Sequence, residues 1–146
     1  RQELEFLKRY LELEQIRLGS RLAVAIETPA ETLDAQVPNL IMQPLVENAV
    51  RHGIEPHSRP GLIKLRAQRT GDELTLEVRD NGEGLHGNSP PPDGVGLSNT
   101  RARLQALYGD AHEFSLGTAP GGGLLVRMTI PFRTEKNSHE SKNPDR

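Results

Sequence analysis

The chain has 146 residues, enough for one domain with a single sizeable core. Its 18 Lys and Arg against 20 Asp and Glu leave a formal charge of −2, and no basic patch with interleaved aromatics offers a surface to nucleic acid. Cysteine is absent, which excludes disulfides, thiolate metal sites and Cys nucleophiles and fits a reducing compartment.

Arg1 opens the chain inside a helical pattern without an initiator Met, so the sequence reads as a piece of a longer protein. Residues 2–18 are expected to form a helix with Leu4, Leu7, Leu11 and Leu18 near one face. Phe6, Tyr10 and Leu13 make a second partial stripe, and a helix with two apolar stripes packs against more than one neighbour. Gly19 and Ser20 stop it. Leu22, Val24 and Ile26 alternate as in a half-buried strand over 21–27. Residues 28–36, polar and holding Pro29, form a loop. Pro38 suits a first helical position, with Asn39 as an alternative cap. That helix is expected to run to about His52 and stop at Gly53. A kink or restart is expected at Pro44, which has no N–H for the Leu40 carbonyl.

After a loop at 54–61, Ile63, Leu65 and Ala67 alternate in one run and Leu74, Leu76 and Val78 in the next. Thr70-Gly71-Asp72 joins them into an antiparallel hairpin with one buried face. The second run ends in Asp80-Asn81-Gly82-Glu83-Gly84. Residues 86–94, with three consecutive prolines, read as a surface loop or lid. Gly94-Val95-Gly96 leads into a helix over 97–108, with Leu97, Leu104, Leu107 and Tyr108 as its buried face and Gly109 as its end. Strands over 113–118 and 124–131 follow, joined by Gly121-Gly122-Gly123. Residues 133–146 lack apolar periodicity and read as a disordered tail. No apolar run approaches the roughly 20 residues of a membrane span, and no signal peptide is visible. This order of elements predicts an α+β fold, a two-layer α/β sandwich whose mixed, mostly antiparallel sheet is covered by helices on one face.

Three stretches carry chemistry. On a helix turning about 100° per residue, Glu47, Asn48, Arg51 and His52 fall within an arc of roughly 140°. Leu45, Val46, Ala49 and Val50 fill the opposite arc with Met42. One face can then be buried while the other presents an acid, an amide, a cation and an imidazole to a shared space. An ordinary amphipathic helix accounts for the same periodicity. Asp80-Asn81-Gly82 is good turn chemistry. Read as a site, it sets the Asp80 carboxylate at a strand end to accept a hydrogen bond from a ligand's exocyclic amine, with Gly82 and Gly84 admitting close backbone approach. Gly94 and Gly96 immediately ahead of a helix place backbone N–H groups and a positive helix end where a phosphate can sit. No Gly-Lys-Ser/Thr follows, so the loop is not a Walker A, and it is not a GxGxxG fingerprint after a strand. The five His share no ligand spacing on one element.

Together the three stretches resemble a known arrangement. Glu47-Asn48-Ala49 with Arg51-His52-Gly53 resembles the N box of the gyrase, heat-shock ATPase, histidine kinase and MutL superfamily. Asp80 to Gly84 resembles its G1 box and Gly94 to Leu97 its G2 box, in matching order and spacing. GGGLLVRMTIPF (121–132) resembles its final strand. Within that superfamily, PNLIMQPLVENAVRHGI (38–54) and GLSNTRARLQALYG (96–109) are similar to the LytS-type sensor histidine kinases. The opening LKRYLELEQIRLGSRL (7–22) is similar to the stretch that follows the phosphoacceptor helix there. The resemblance spans roughly residues 5–133.

It implies a Bergerat ATP-binding fold over 21–133. Residues 1–20 would be the end of the helical dimerisation and phosphoacceptor region or a linker helix, and 134–146 a disordered tail. Such a catalytic domain passes the γ-phosphoryl group of Mg-ATP to a histidine on a neighbouring helical domain of the same parent, expected to be a homodimer, with a response regulator downstream. Asn48 would be a ligand of Mg²⁺, an oxygen donor suited to a hard cation. Glu47 would be the base or polarising group for the acceptor imidazole. Arg51 and His52 would face the phosphates. Asp80 would bind the adenine amine, with Gly82 and Gly84 shaping its pocket, and Gly94, Val95, Gly96 and Leu97 would form the lid boundary that wraps the triphosphate. The domain would work in the cytoplasm, its parent anchored in the membrane through segments outside this chain.

The sequence departs from the family in three ways. None of His52, His57, His86, His112 and His139 sits in a phosphoacceptor motif. The Phe-rich box between the G1 and G2 boxes of many histidine kinases is missing. Leu125 stands where the superfamily often has a Thr near adenine. Two other readings stay open: a serine-phosphorylating relative of the anti-sigma-factor kind, and a non-catalytic nucleotide-dependent interaction module.

Overall fold

The computed structural model describes residues 2–38, 40–54, 60–82, 95–119 and 122–134. Helix α1 (Gln2–Leu18) has Glu3 and Glu5 in its first turn and Arg17 in its last, charges that complement the helix dipole. Gly19, at φ +66°, ends it. Leu7 and Leu11 enter the common core, with Tyr10 and Leu18 packed beside them. Of the second stripe only Tyr10 turns inward; Phe6 and Leu13 are exposed, as is Ile16.

Five strands follow the expected alternation: β1 (Leu22–Glu27), β2 (Gly61–Thr70), β3 (Glu73–Asp80), β4 (Glu113–Thr118) and β5 (Leu124–Pro131). They form one sheet in the order β1-β2-β3-β5-β4, with β1 parallel to β2 and the other neighbours antiparallel. The parallel step needs a crossover, and the second helix supplies it. Register sets the faces. Leu65 lies opposite Val78, Val78 opposite Val126, and Leu76 opposite Met128, all buried under the helices. The outer face carries a ladder of charge instead: Lys64 to Glu27 at 3.4 Å, Arg66 to Glu77 at 3.8 Å, and Arg127 to Glu77 at 2.6 Å. Exposed pairs of this kind add little stability, but they mark the solvated side of a one-sided sheet.

Helix α2 (Gln43–Asn48) begins five residues later than Pro38 suggested. Leu40 adopts φ +57°, which breaks any helix begun upstream, and Pro44 then sits in the first turn, where its missing N–H costs nothing. The chain restarts there instead of kinking. Asn39 lies outside the described residues. At its far end the helix passes Gly53 and continues as a wide π-type turn over Ala49–Ile54. Burial of Ile54 draws the backbone on; a Cβ on Gly61 would meet its Cδ1 at 2.5 Å.

Helix α3 (Val95–Tyr108) starts two residues ahead of Leu97. It buries Leu97, Thr100 and Leu104, with Tyr108 partly covered. Leu107, expected inside, is 54% exposed because that stripe passes to one side of it. Past β5, Gln36 N–H donates to the Arg133 carbonyl at 2.6 Å and Ala35 bridges Thr134. Residues 135–146, which hold most of the expected tail, lie outside the described residues. Among the described residues no helix is long and apolar enough to cross a membrane.

Candidate functional site

Alternation along β3 puts Leu74, Leu76, Val78 and Asp80 on the helix-covered face, so the strand ends by delivering a carboxylate into the interior. Asp80 is 4% exposed. Its Oδ1 accepts hydrogen bonds from the N–H groups of Gly82 at 2.8 Å and Leu124 at 3.2 Å. Asn81 Oδ1 accepts from Leu62 N–H at 2.8 Å and ties the turn to β2. The Gly122-Gly123 turn presses on the same place, with Gly123 at φ +91°. The sheet thus brings Leu124 to the Asp80 carboxylate, not Leu125, whose place in the strand alternation is on the other face.

Glu47 and Asn48 close the regular part of α2. Asn48 is 2% exposed, and its Oδ1 has no hydrogen-bond partner. Leaving a buried amide oxygen unpaired costs about 1–3 kcal/mol, which a ligand on that lone pair would recover. A carbonyl-type oxygen is also the donor a hard divalent cation prefers, so the residue present fits such an ion. Glu47 is half-buried. Gln43, one turn back, donates its amide to Glu47 Oε2 at 2.9 Å. Tyr10 of α1 registers the same charges: burial pushes its phenol up to about 12, the carboxylates of Glu14 and Glu47 push the same way, and Arg17 and Arg51 oppose them. Arg51 itself is exposed. The polar arc is therefore graded, with Asn48 inside, Glu47 at the rim and Arg51 in solvent.

The carriers of these groups adjoin one another. α2 packs beside α3, and the wide turn after Asn48 lies on β2 and β3. Gly82 is buried beneath the Asp80 carboxylate. Val95 and Gly96 open α3, and the Leu97 side chain is committed to the core. Gly84 and Gly94 lie outside the described residues, as do the side chains of His52 and Val95. His112 closes a local turn, its Nδ1 2.6 Å from the Gly109 carbonyl oxygen. Gln43, Thr100, Gly123 and Leu124 were not singled out by the sequence reading. Gln43 stands four residues before Glu47, the spacing at which helical side chains meet, and that signal was available.

Sheet order and one-sided helices define a two-layer α+β sandwich that carries this cluster. Residues 34–134 match the family described as "Histidine kinase-, DNA gyrase B-, and HSP90-like ATPase", and the chain belongs to that family, in its LytS-type histidine kinase branch. It is 34% identical over 133 residues to the sensor histidine kinase BtsS of Escherichia coli, a match covering 91% of this chain and 24% of BtsS. It is 29% identical over 147 residues to the sensor protein LytS of Oceanobacillus iheyensis, covering 92% of this chain and 25% of LytS. The chain thus spans about a quarter of the length of these relatives. The solved catalytic domain of the histidine kinase ThkA shares the fold, with a TM-score of 0.69 at 18% identity over 92% of this chain and 94% of that one. ThkA in complex with the response regulator protein TrrA gives 0.68 at 20% identity over 92% and 41%.

Proposed function

We propose that this chain is the ATP-binding catalytic domain of a two-component sensor kinase, transferring the γ-phosphoryl group of ATP to a histidine on a helical domain of its parent. The observation that carries this reading is the buried Asn48 Oδ1 without a partner, set directly after a rim carboxylate. Asn48 would hold Mg²⁺, which would supply positive charge to offset that of the phosphates. The rest of the work falls to this chain's own groups. Asp80, fixed by two backbone N–H donors on Oδ1, accepts from the adenine amine. Gly82 and Gly84 give the ring room. Gly94, Val95, Gly96 and Leu97 offer backbone at the start of α3 to the phosphates, and Arg51 and His52 balance their charge.

Glu47 is the general base. With Oε2 occupied by Gln43, Oε1 accepts the proton of the incoming imidazole as its other nitrogen attacks the γ-phosphorus, and ADP leaves. Phosphoryl transfer needs positioning and charge stabilisation more than covalent chemistry, so this set suffices. The acceptor domain, a response regulator and a dimeric, membrane-anchored parent complete the proposal, with this domain on the cytoplasmic side. The test is transfer of label from [γ-³²P]ATP to a separately supplied acceptor-histidine segment of the parent. Acid-labile, base-stable label on that segment is expected. Label on serine would favour the anti-sigma-factor type, and binding without transfer would favour an interaction module.

A further inference from the structure

Glu3 lies in the first turn of α1, yet its carboxylate acts on another element. Oε1 accepts from the Leu40 N–H at 2.8 Å and Oε2 from the Met42 N–H at 2.7 Å. Both amides stand immediately ahead of α2, whose N-cap position, Met42, supplies no side-chain cap. The open N–H groups and positive end of a helix favour an anion, and two charge-assisted bonds fix its direction. The turn so held is not a relaxed one. Leu40 is the only non-glycine among the described residues with φ in the left-handed region, a conformation disfavoured by a β-carbon and kept only where neighbours enforce it. A half-open pocket lies under this end of α1, lined by Leu4, Leu7, Met42, Leu74 and Leu76 among others. Next in the chain is Gln43, which holds Glu47.

We infer that Glu3 is a positioning residue for the phosphoryl-transfer centre: reaching across from α1, its carboxylate seats the first turn of α2 and through it sets Glu47 and Asn48. The inference rests on the site reading above and deepens it, because it makes α1 a lever on the nucleotide site. Any shift of α1 along its axis withdraws the carboxylate and frees the turn that aligns the base and the metal-binding amide.

The test uses the whole chain carrying Glu3→Gln, Glu3→Ala or Glu3→Asp, at a temperature where circular dichroism shows each variant folded. The nucleotide-free readout is amide hydrogen exchange at Leu45 and Val46, which both bond the Met42 carbonyl. Glu3→Gln and Glu3→Ala are expected to exchange there at least tenfold faster. Mg²⁺-dependent ATP affinity should fall three- to tenfold while adenosine affinity holds, and Glu3→Asp should recover part of both. Unchanged exchange at Leu45 and Val46 overturns the seating. A lower melting temperature with unchanged MgATP affinity, or equal losses for MgATP and adenosine, overturns the positioning role and leaves an ordinary cap. A wild-type chain that binds no ATP overturns the site reading and the catalytic half of this inference with it; the exchange data decide the seating separately.

Discussion

Gly123 and Asp80 are in backbone contact: a Cβ on Gly123 would stand 1.9 Å from the Asp80 carbonyl oxygen and 2.8 Å from Asn81 Cα. The turn before β5 is thus pressed onto the end of β3, and this contact brings the Leu124 N–H to the Asp80 carboxylate. Two glycines of one turn serve different ends here. Gly122, at φ +104°, has open space around its missing side chain, whereas Gly123 has none.

Alanine at these positions should separate conformation from contact. Gly122→Ala is expected to cost about 1–2 kcal/mol, the strain of a disfavoured φ. Gly123→Ala should cost at least ~2 kcal/mol more, since backbone must move away from backbone and unseat Leu124. Urea denaturation of both variants checks this, and equal losses would mean that close approach to Asp80 is not what requires glycine.

Asp80→Asn tests the base-binding carboxylate without dismantling it. The retained Oδ1 still accepts from Gly82 and Leu124, so the melting temperature should change little. The new amide presents N–H groups where an adenine amine needs an acceptor. ATP affinity is expected to fall by about 1–3 kcal/mol, as for a hydrogen bond to a charged group, with GTP spared. Calorimetric titration with both nucleotides reads the difference; parallel losses would count against the adenine role.

Much of this site was legible in the sequence, for reasons that differ by residue. Asp80 stood out as a carboxylate at a strand end ahead of two glycines, and the alternation of Leu74, Leu76 and Val78 explains why it faces inward. Asn48 and Glu47 followed from helical spacing, although spacing alone gave Asn48 and Arg51 equal exposure. Only the packing of α2 on β2, β3 and α3 separates the buried amide from the exposed cation. The start of α2 was misplaced because the left-handed turn at Leu40 depends on Glu3, 37 positions away, and a local pattern carries no such contact. The Leu124 N–H bond to Asp80 also depends on long-range register, since one position along β5 decides which residue meets that carboxylate. Periodicity places Leu107 in the core, but α3 offers more apolar width than its neighbours cover.

Asn48→Ala addresses the metal. Removing an amide whose oxygen is buried and unpartnered relieves a cost, offset by the small cavity left, so the fold should survive with its melting temperature within a few degrees of wild type. ATP affinity in magnesium should drop to the value seen in EDTA, while affinity in EDTA stays as in wild type. Titrations with and without chelator give both numbers. An Asn48→Ala variant that still gained affinity from magnesium would remove the assignment.

The last prediction concerns Tyr10 and the charge of Glu47. Burial first, then the carboxylates of Glu14 and Glu47, raise the Tyr10 phenol from 10.0 to about 12. A raised pKa means that the fold favours the neutral phenol. The associated stability is fully present below pH 10 and is lost as the pH climbs through 12. Wild type should therefore lose ground to Tyr10→Phe across that window, by about 1 kcal/mol and not the full linkage value, because the ring is partly open to water. Tyr108 is also raised, by burial. In a Tyr108→Phe background the phenolate absorbance then reports Tyr10 alone, with an expected midpoint near 12. Adding Glu47→Gln removes one of the negative charges that oppose ionisation, so the midpoint should move down. A midpoint that stays in place would show that Glu47 does not act on the ring of α1, and the α1 side of the site would have to be redrawn.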